Sequence, residues 1–157
     1  MVKFQLKIFL KAAYEISLVF LQFFIITLHF FQWELIPQKQ IIQLSPFSYL
    51  VGFLIIIFAC IMLLVAINDL GRNLSPFPRP LKNSNLVTKG IYRYTRHPMY
   101  YSLIFISLGV FITKLSIYYL ILSICLGLII KFKIALEEQY LNYKFKNYLL
   151  YKNEVKY

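Results

Sequence analysis

Polar residues interrupt the chain rarely, and their absences mark out membrane-sized segments. One apolar run extends from about Ile16 to Phe31, with Tyr14 before it and Trp33 after it, and only Glu15, Gln22 and His29 break its character. A second runs from Tyr49 to Ile67 without a charged residue. Each approaches the ~20 residues that cross ~30 Å of hydrocarbon at ~1.5 Å per residue. A third region, Tyr100 to Ile130, carries only Lys114 as a charge. As one helix it would be about 45 Å long, half again the hydrocarbon thickness. The pattern therefore predicts two shorter helices here, folded back on each other at a tight turn around Thr113-Lys114.

The polar interval from Asn68 to Pro98 lies between membrane helices, and its Ser75-Pro76-Phe77-Pro78-Arg79-Pro80 stretch disfavours regular structure. Proline fixes φ and restricts the residue before it, so this stretch is expected to be a stiff extended strap near the site. After Lys131 the tail keeps strong helix formers. Tyr140, Leu141, Phe145, Tyr148 and Tyr151 form an apolar-aromatic face with two resting places open to it, the lipid interface and the middle loop. The expected fold is all-α: a single domain over 1–157, with four transmembrane helices, the last two a tight hairpin, and a cytoplasmic C-terminal amphipathic helix.

Composition agrees. Hydrophobic residues make up 60% of the chain and charged ones 15%, too little polar surface to cover a soluble globule of this size. The net charge of +11 would suggest nucleic acid in a soluble protein, but position decides its meaning. With four spans, only Lys39 and Lys114 of the 17 basic residues fall on one side. The positive-inside rule then puts both termini and the middle loop in the cytoplasm, and no nucleic-acid partner is expected. Lys3, Lys7 and Lys11 precede the first run as in a signal peptide. That run is long and ends in bulky residues, so a retained helix is expected.

Candidate chemistry concentrates at the cytoplasmic mouth. All four Arg lie between Arg72 and Arg96, where a planar guanidinium suits bidentate recognition of a carboxylate or phosphate. Gly90-Ile91-Tyr92-Arg93-Tyr94-Thr95-Arg96-His97-Pro98-Met99-Tyr100 gathers guanidiniums, an imidazole and phenols ahead of a helix whose first turn can hold Pro98. Arg96 and His97 then flank the positive helix end. Glu137-Glu138 stand adjacent in a basic tail on the same membrane side. Neighbours on a helix do not share a face, so at most one of them points into the bundle. Cation pair and carboxylate together suit a zwitterionic ligand. Asn68 and Asp69 are candidates for the same opening. No cluster has metal-site spacing, and His29 and His97 fall on opposite sides of the membrane. Cys60 and Cys125 are expected in packed core.

The segments Leu70–Pro80, Leu86–Tyr100 and Glu137-Glu138 followed by Leu141, Phe145, Tyr148 and Tyr151 resemble the isoprenylcysteine carboxyl methyltransferase family, whose wider group includes phospholipid N-methyltransferases. The similarity covers roughly residues 65–155, and its most specific part is the Gly-x-Tyr-x-x-x-Arg-His-Pro-x-Tyr run. Ser102 stands where relatives often have Gly. The resemblance implies S-adenosylmethionine held at the cytoplasmic ends of the last two helices. Arg96, His97, Tyr100, Glu137 and Glu138 would bind the cofactor, with Leu86, Val87, Gly90 and Tyr92 along it. Arg96, His97 and Glu137 would serve the chemistry. The implied activity is methyl transfer to a lipophilic acceptor, an isoprenylcysteine-like carboxylate or a lipid amine, drawn from the membrane lipids. Two alternatives stand beside it: an NADPH-dependent enzyme like the sterol reductases, which carry a similar Arg-His-x-x-Tyr segment, and a non-enzymatic transport or lipid-binding protein.

Overall fold

A computed structural model describes residues 2–30 and 45–156. Phe31, Trp33 and Lys39, which figure in the sequence argument, lie outside the described residues. Among the described residues five helices follow in chain order: α1 (Val2–Phe30), α2 (Pro46–Leu70), α3 (Pro98–Lys114), α4 (Ile117–Lys144) and α5 (Tyr148–Glu154). Single turns of 3₁₀ helix occupy Gly71–Asn73 and Gly90–Arg93. Among the described residues three segments are long and apolar enough to cross a membrane, Phe9–Phe30, Pro46–Asn73 and Ile117–Lys144, and α3 is a shorter apolar helix of 17 residues. The protein is all-α and, by these segments, a multi-pass membrane protein.

The helix starts follow local chemistry. Ser45 caps α2 by accepting from the Ser48 amide at 3.2 Å, with Pro46 in the first turn. Pro98 opens α3 directly after His97, as its missing N–H favours. The break between α3 and α4 falls at Leu115-Ser116, slightly later than expected. Thr113 and Lys114 remain helical, and Leu115 takes a left-handed φ of 45°. The Ser116 hydroxyl then accepts from the Tyr118 amide at 3.3 Å to cap α4. A serine at the N-cap is the local signal that places the turn.

Packing in a lipid setting rests on close backbone approach, because apolar contact alone does not favour helix pairing there. On α2 the buried residues are Gly52, Ala59 and Ala66, one every seven positions. They form a small-residue groove, and α2 packs most extensively on α3. A Cβ built on Gly109 would stand 2.6 Å from Ile56 and 2.9 Å from the Gly52 carbonyl oxygen. Ser102 is fully buried and returns its hydroxyl to the Pro98 carbonyl at 2.8 Å. Tyr119, Leu122, Leu126 and Ile130 of α4 form the apolar core with Ile25 of α1. Cys125 is half-buried beside that core, whereas Cys60 is exposed on α2 rather than packed, since the small-residue face is the one that turns inward.

α1 buries a polar stripe. Glu15 and Gln22 are both buried, and His29, seven residues further on, is half-buried. The His29 Nδ1–H donates to the Ile25 carbonyl at 2.8 Å, and its Nε2 accepts from the Ser107 hydroxyl at 2.8 Å. Ser123 continues this chain from α4 at 2.7 Å. The tail differs from a single amphipathic helix: α4 runs on to Lys144, and after a break α5 folds back. Tyr148, Tyr151 and Val155 bury themselves against Leu86, Leu141 and Phe145. Of the two resting places open to the tail's aromatic face, the middle loop is the one it takes.

The α2–α3 contact predicts opposite effects at two glycines. Gly109→Ala should lower stability by about 1–3 kcal/mol through overpacking. Gly127→Ala, with nothing within 4 Å of the added Cβ, should leave stability unchanged or slightly raised. Thermal denaturation of both variants in the same detergent checks the pair.

Candidate functional site

The connection between α2 and α3 builds a roof over one end of the bundle. Gly71, at φ 53°, turns the chain out of α2. Ser75 accepts from the Phe77 amide at 3.2 Å. The following stretch bends at residues 76–79 rather than running extended as expected, because the prolines at 76, 78 and 80 fix φ but leave ψ free to turn the chain. Asn73 closes the loop by accepting from the Asn85 amide at 3.2 Å. The Lys144 ammonium of α4 donates to the carbonyls of Leu81 and Lys82 and to the Ser84 hydroxyl, so it ties the roof to the helix rather than neutralising the Glu pair.

Gly90 is a backbone device. At φ +60° it lets the Ile91 amide donate to Asp69 Oδ2 at 2.8 Å. A Cβ on Gly90 would lie 2.0 Å from that same oxygen. Asp69, a candidate for lining the opening, instead pins the start of the Gly-x-Tyr motif to the end of α2.

The two acidic neighbours on α4 diverge. Glu138 turns toward α5 and the start of α3. Its Oε1 accepts from Arg96 Nη2 at 2.7 Å and Nε at 3.0 Å, and lies 3.4 Å from His97 Nε2. Its Oε2 accepts from Lys152 at 2.6 Å. The Arg96 Nη1 also donates to the Val155 carbonyl. One carboxylate thus clasps three segments, and the Arg96 fork is largely spent within the protein. Glu137, one position earlier, faces the other way and makes no ion pair among the described residues. It lies among Tyr100, His97 and Lys133.

Glu137 and Arg96 line a cleft beneath the roof, together with Tyr92, Tyr148 and Tyr151. The cavity itself holds about 90 Å³, below the ~300–1,000 Å³ of small-molecule pockets, so a cofactor-sized ligand fits only where the walls part. Leu86, Val87 and Pro78 supply apolar wall, and Asn73 and Asn85 supply amides. The Tyr148 side chain is 1% exposed, and its hydroxyl has no hydrogen-bond partner among the described residues. A buried hydroxyl without a partner is rare and costly, so its place on a cavity wall points to a ligand. The phenols stay protonated: burial pushes Tyr92 up, helped by the Glu137 charge, burial pushes Tyr148 up likewise, and Tyr151 is pushed up to about 12. Tyr151 accordingly donates to the Tyr92 carbonyl at 2.6 Å.

Of the residues expected at the site, Leu86, Val87, Tyr92, Arg96 and Glu137 line the cleft. Gly90, His97, Tyr100 and Glu138 are not among the residues that line it. His97 is 4% exposed, and its ring lies 5.8 Å from that of Tyr100. Sequence reasoning did not assign Asn73, Tyr148 or Tyr151 to the site. The signal was present for the tyrosines, since they lie three residues apart on the tail's aromatic face. For Asn73 no sequence signal existed beyond its place before the proline strap.

The profile of the family described as Phospholipid methyltransferase matches residues 47–148, well over half of the chain. No curated protein matches the chain.

The clasp generates a stability prediction. Glu138→Gln leaves Arg96 and His97 largely buried without their counter-charge and should cost about 3 kcal/mol. Lys152→Ala removes a half-exposed partner and should cost under about 1 kcal/mol. Thermal melts of the two variants should separate them clearly, with the Glu138 variant the lower.

Proposed function

The chain belongs to the phospholipid methyltransferase family, and on that premise we propose that it is an S-adenosylmethionine-dependent methyltransferase acting on a lipophilic acceptor at the cytoplasmic membrane face. The observation that carries the reading is the cleft wall itself, which holds both the Glu137 carboxylate, without an ion-pair partner among the described residues, and the buried Tyr148 hydroxyl, without a hydrogen-bond partner among them. These residues fit the cofactor's chemistry. Glu137 offers an anion to an ammonium or sulfonium. The Arg96 guanidinium and the Asn73 and Asn85 amides offer donors to a carboxylate and hydroxyls. Tyr92, Tyr148 and Phe145 offer aromatic faces, and Leu86, Val87 and Leu141 an apolar bed. When bound, the cofactor supplies a methyl on a sulfonium leaving group.

What remains for the protein is alignment and exclusion of water. The proline-stiffened roof and the tyrosines that close the cleft serve both. Arg96 and Glu137 act from the wall. His97, Tyr100 and Glu138 act from outside it, with Glu138 holding Arg96 and His97 in place, and Gly90 shapes the turn that carries Tyr92. A carboxylate acceptor needs no general base. An amine acceptor releases a proton, and Glu137 is the wall group suited to take it, with His97 next in line. The family description favours a phospholipid acceptor. The apolar part of such an acceptor reaches the mouth laterally from the bilayer, since a lipid tail need not leave hydrocarbon.

The same reading includes four spans with both termini cytoplasmic, one domain over 1–157, and α3 with α4 as a membrane hairpin. It rests on the order of basic residues along the sequence, where four spans would leave only Lys39 and Lys114 on the side away from the rest. Reporter fusions after residue 114 and at the C-terminus should report opposite sides of the membrane. The same side for both would remove the hairpin.

Cofactor identity is tested by calorimetry on purified protein in nanodiscs. S-adenosylhomocysteine should bind and NADPH should give no heat; the reverse pattern would move the protein to the reductase class. Losing one charge-assisted contact, ~1.5–3 kcal/mol, should weaken binding roughly ten- to a hundredfold in Glu137→Gln, with an unchanged melting temperature.

A further inference from the structure

The family match begins at residue 47, so α1 lies outside it, yet α1 reaches the roof of the cleft by two buried polar side chains. Glu15 and Gln22 are seven residues apart, nearly two helical turns, and therefore share one face. Glu15 accepts from Arg79 Nη2 at 3.1 Å and from the Tyr140 hydroxyl of α4. Gln22 accepts from the Lys133 ammonium of α4, which also donates to the Pro76 carbonyl at 3.0 Å. The roof is thus tied at residues 76 and 79. Between these ties lie Phe77 and the buried Pro78, both on the wall of the cleft.

The two ties differ in strength. The Arg79 side chain is 56% exposed, so solvent screens its pairing with Glu15. Lys133 is 1% exposed and also lies 5.2 Å from the centre of the Tyr100 ring. A buried ammonium left without acceptors is costly, so Gln22 and the Pro76 carbonyl hold it and are held by it. Lys133 precedes Glu137 by one helical turn on the same face of α4. The stiffness of the proline stretch carries a restraint at two points to the residues between them.

We propose that α1 positions the roof of the cleft, with Gln22 and Glu15 as positioning residues acting through Lys133 and Arg79. The proposal rests on the reading of the cleft as a cofactor site. It makes α1 a working part of that site rather than a membrane anchor alone, and it assigns Lys133 a role beyond charge balance.

The test uses the full chain in nanodiscs and two readouts: S-adenosylhomocysteine Kd by calorimetry, and hydrogen exchange of the backbone over residues 73–85. Lys133→Met should raise Kd about tenfold and quicken exchange over 73–85. Lys133→Arg, which keeps a donor to both acceptors, should bring both readouts back toward wild type. Gln22→Leu should shift both in the same direction by a smaller factor, because the Pro76 bond remains. Ser17→Ala, on the exposed side of α1, should change neither. Should Lys133→Met fail to fold, Glu15→Gln is the second variant, expected to quicken the same exchange and raise Kd about threefold. A simply structural role would lower the melting temperature while leaving Kd and strap exchange of the folded protein at wild-type values, and that result overturns the proposal. Faster exchange with an unchanged Kd overturns it as well. If wild-type protein binds no S-adenosylhomocysteine, the cofactor reading fails. Exchange then decides the tether alone: quickened in the variants it stands, unchanged it falls.

Discussion

A polar group carried on a helix through hydrocarbon is costly unless another polar group meets it, and this constraint organises the bundle. On α1 the buried Glu15 and Gln22 and the half-buried His29 each have a partner on a different element. Glu15 meets Arg79 and Tyr140, Gln22 meets Lys133, and His29 meets Ser107. The pairs fix the rotation of α1 about its axis more sharply than its apolar residues do, because lipid and protein offer Leu or Phe much the same surroundings. Along α2 and α3 the fixing is steric instead: Gly52 and Gly109 allow a backbone approach that no larger residue permits.

α4 is the ruler against which the rest is set. Lys133 and Tyr140 face α1, Glu137 and Leu141 face the cleft, and Glu138 faces α5 and the N-terminus of α3. A single step of about 100° along the helix separates the two glutamates into different tasks. One holds the architecture through Arg96, His97 and Lys152. The other lines the cavity among Tyr100, His97 and Lys133, outside any ion pair among the described residues. A guanidinium shared between the clasp and the cleft wall couples them, since Arg96 belongs to both.

Much of this was legible in the sequence for definite reasons. Long runs without charge can be read as spans, and Pro98 after His97 marks a helix start. The Gly-x-Tyr-x-x-x-Arg-His-Pro-x-Tyr run carries a family resemblance that the profile match upholds. The break between α3 and α4 was placed two residues early because Thr113-Lys114 looks more polar than Leu115-Ser116, while helix ends are decided by caps. Which glutamate faces the cleft was not legible, because adjacency forbids a shared face without choosing between faces. Nor was the pairing of Arg96 with Glu138: the sequence shows two opposite charges and does not say whether they meet each other or a ligand. The tie from α1 to the roof is not legible in the sequence, although its period is. Glu15, Gln22 and His29 recur every seven residues, as Gly52, Ala59 and Ala66 do on α2, and a heptad of polar residues inside an apolar helix is as directional as a heptad of small ones.

The cleft is consequently a composite of elements that no single local signal could have assembled. Its floor comes from the end of α4, its roof from the proline strap and its far wall from α5, and each is attached by a different kind of bond. The floor needs only helix continuity. The far wall depends on tyrosines packing against Leu86 and on the Glu138 clasp. The roof is held by hydrogen bonds to Lys144 at one end and to Lys133 and Glu15 at the other, and it has the least apolar burial of the three: Pro78 is buried, while Pro76, Phe77 and Arg79 are exposed. Regions held by few buried apolar contacts open at lower free energy than packed cores. The roof is therefore the element through which the cleft can admit and release a ligand while the helices beneath keep their positions, and the polar ties from α1 and α4 set how far it opens.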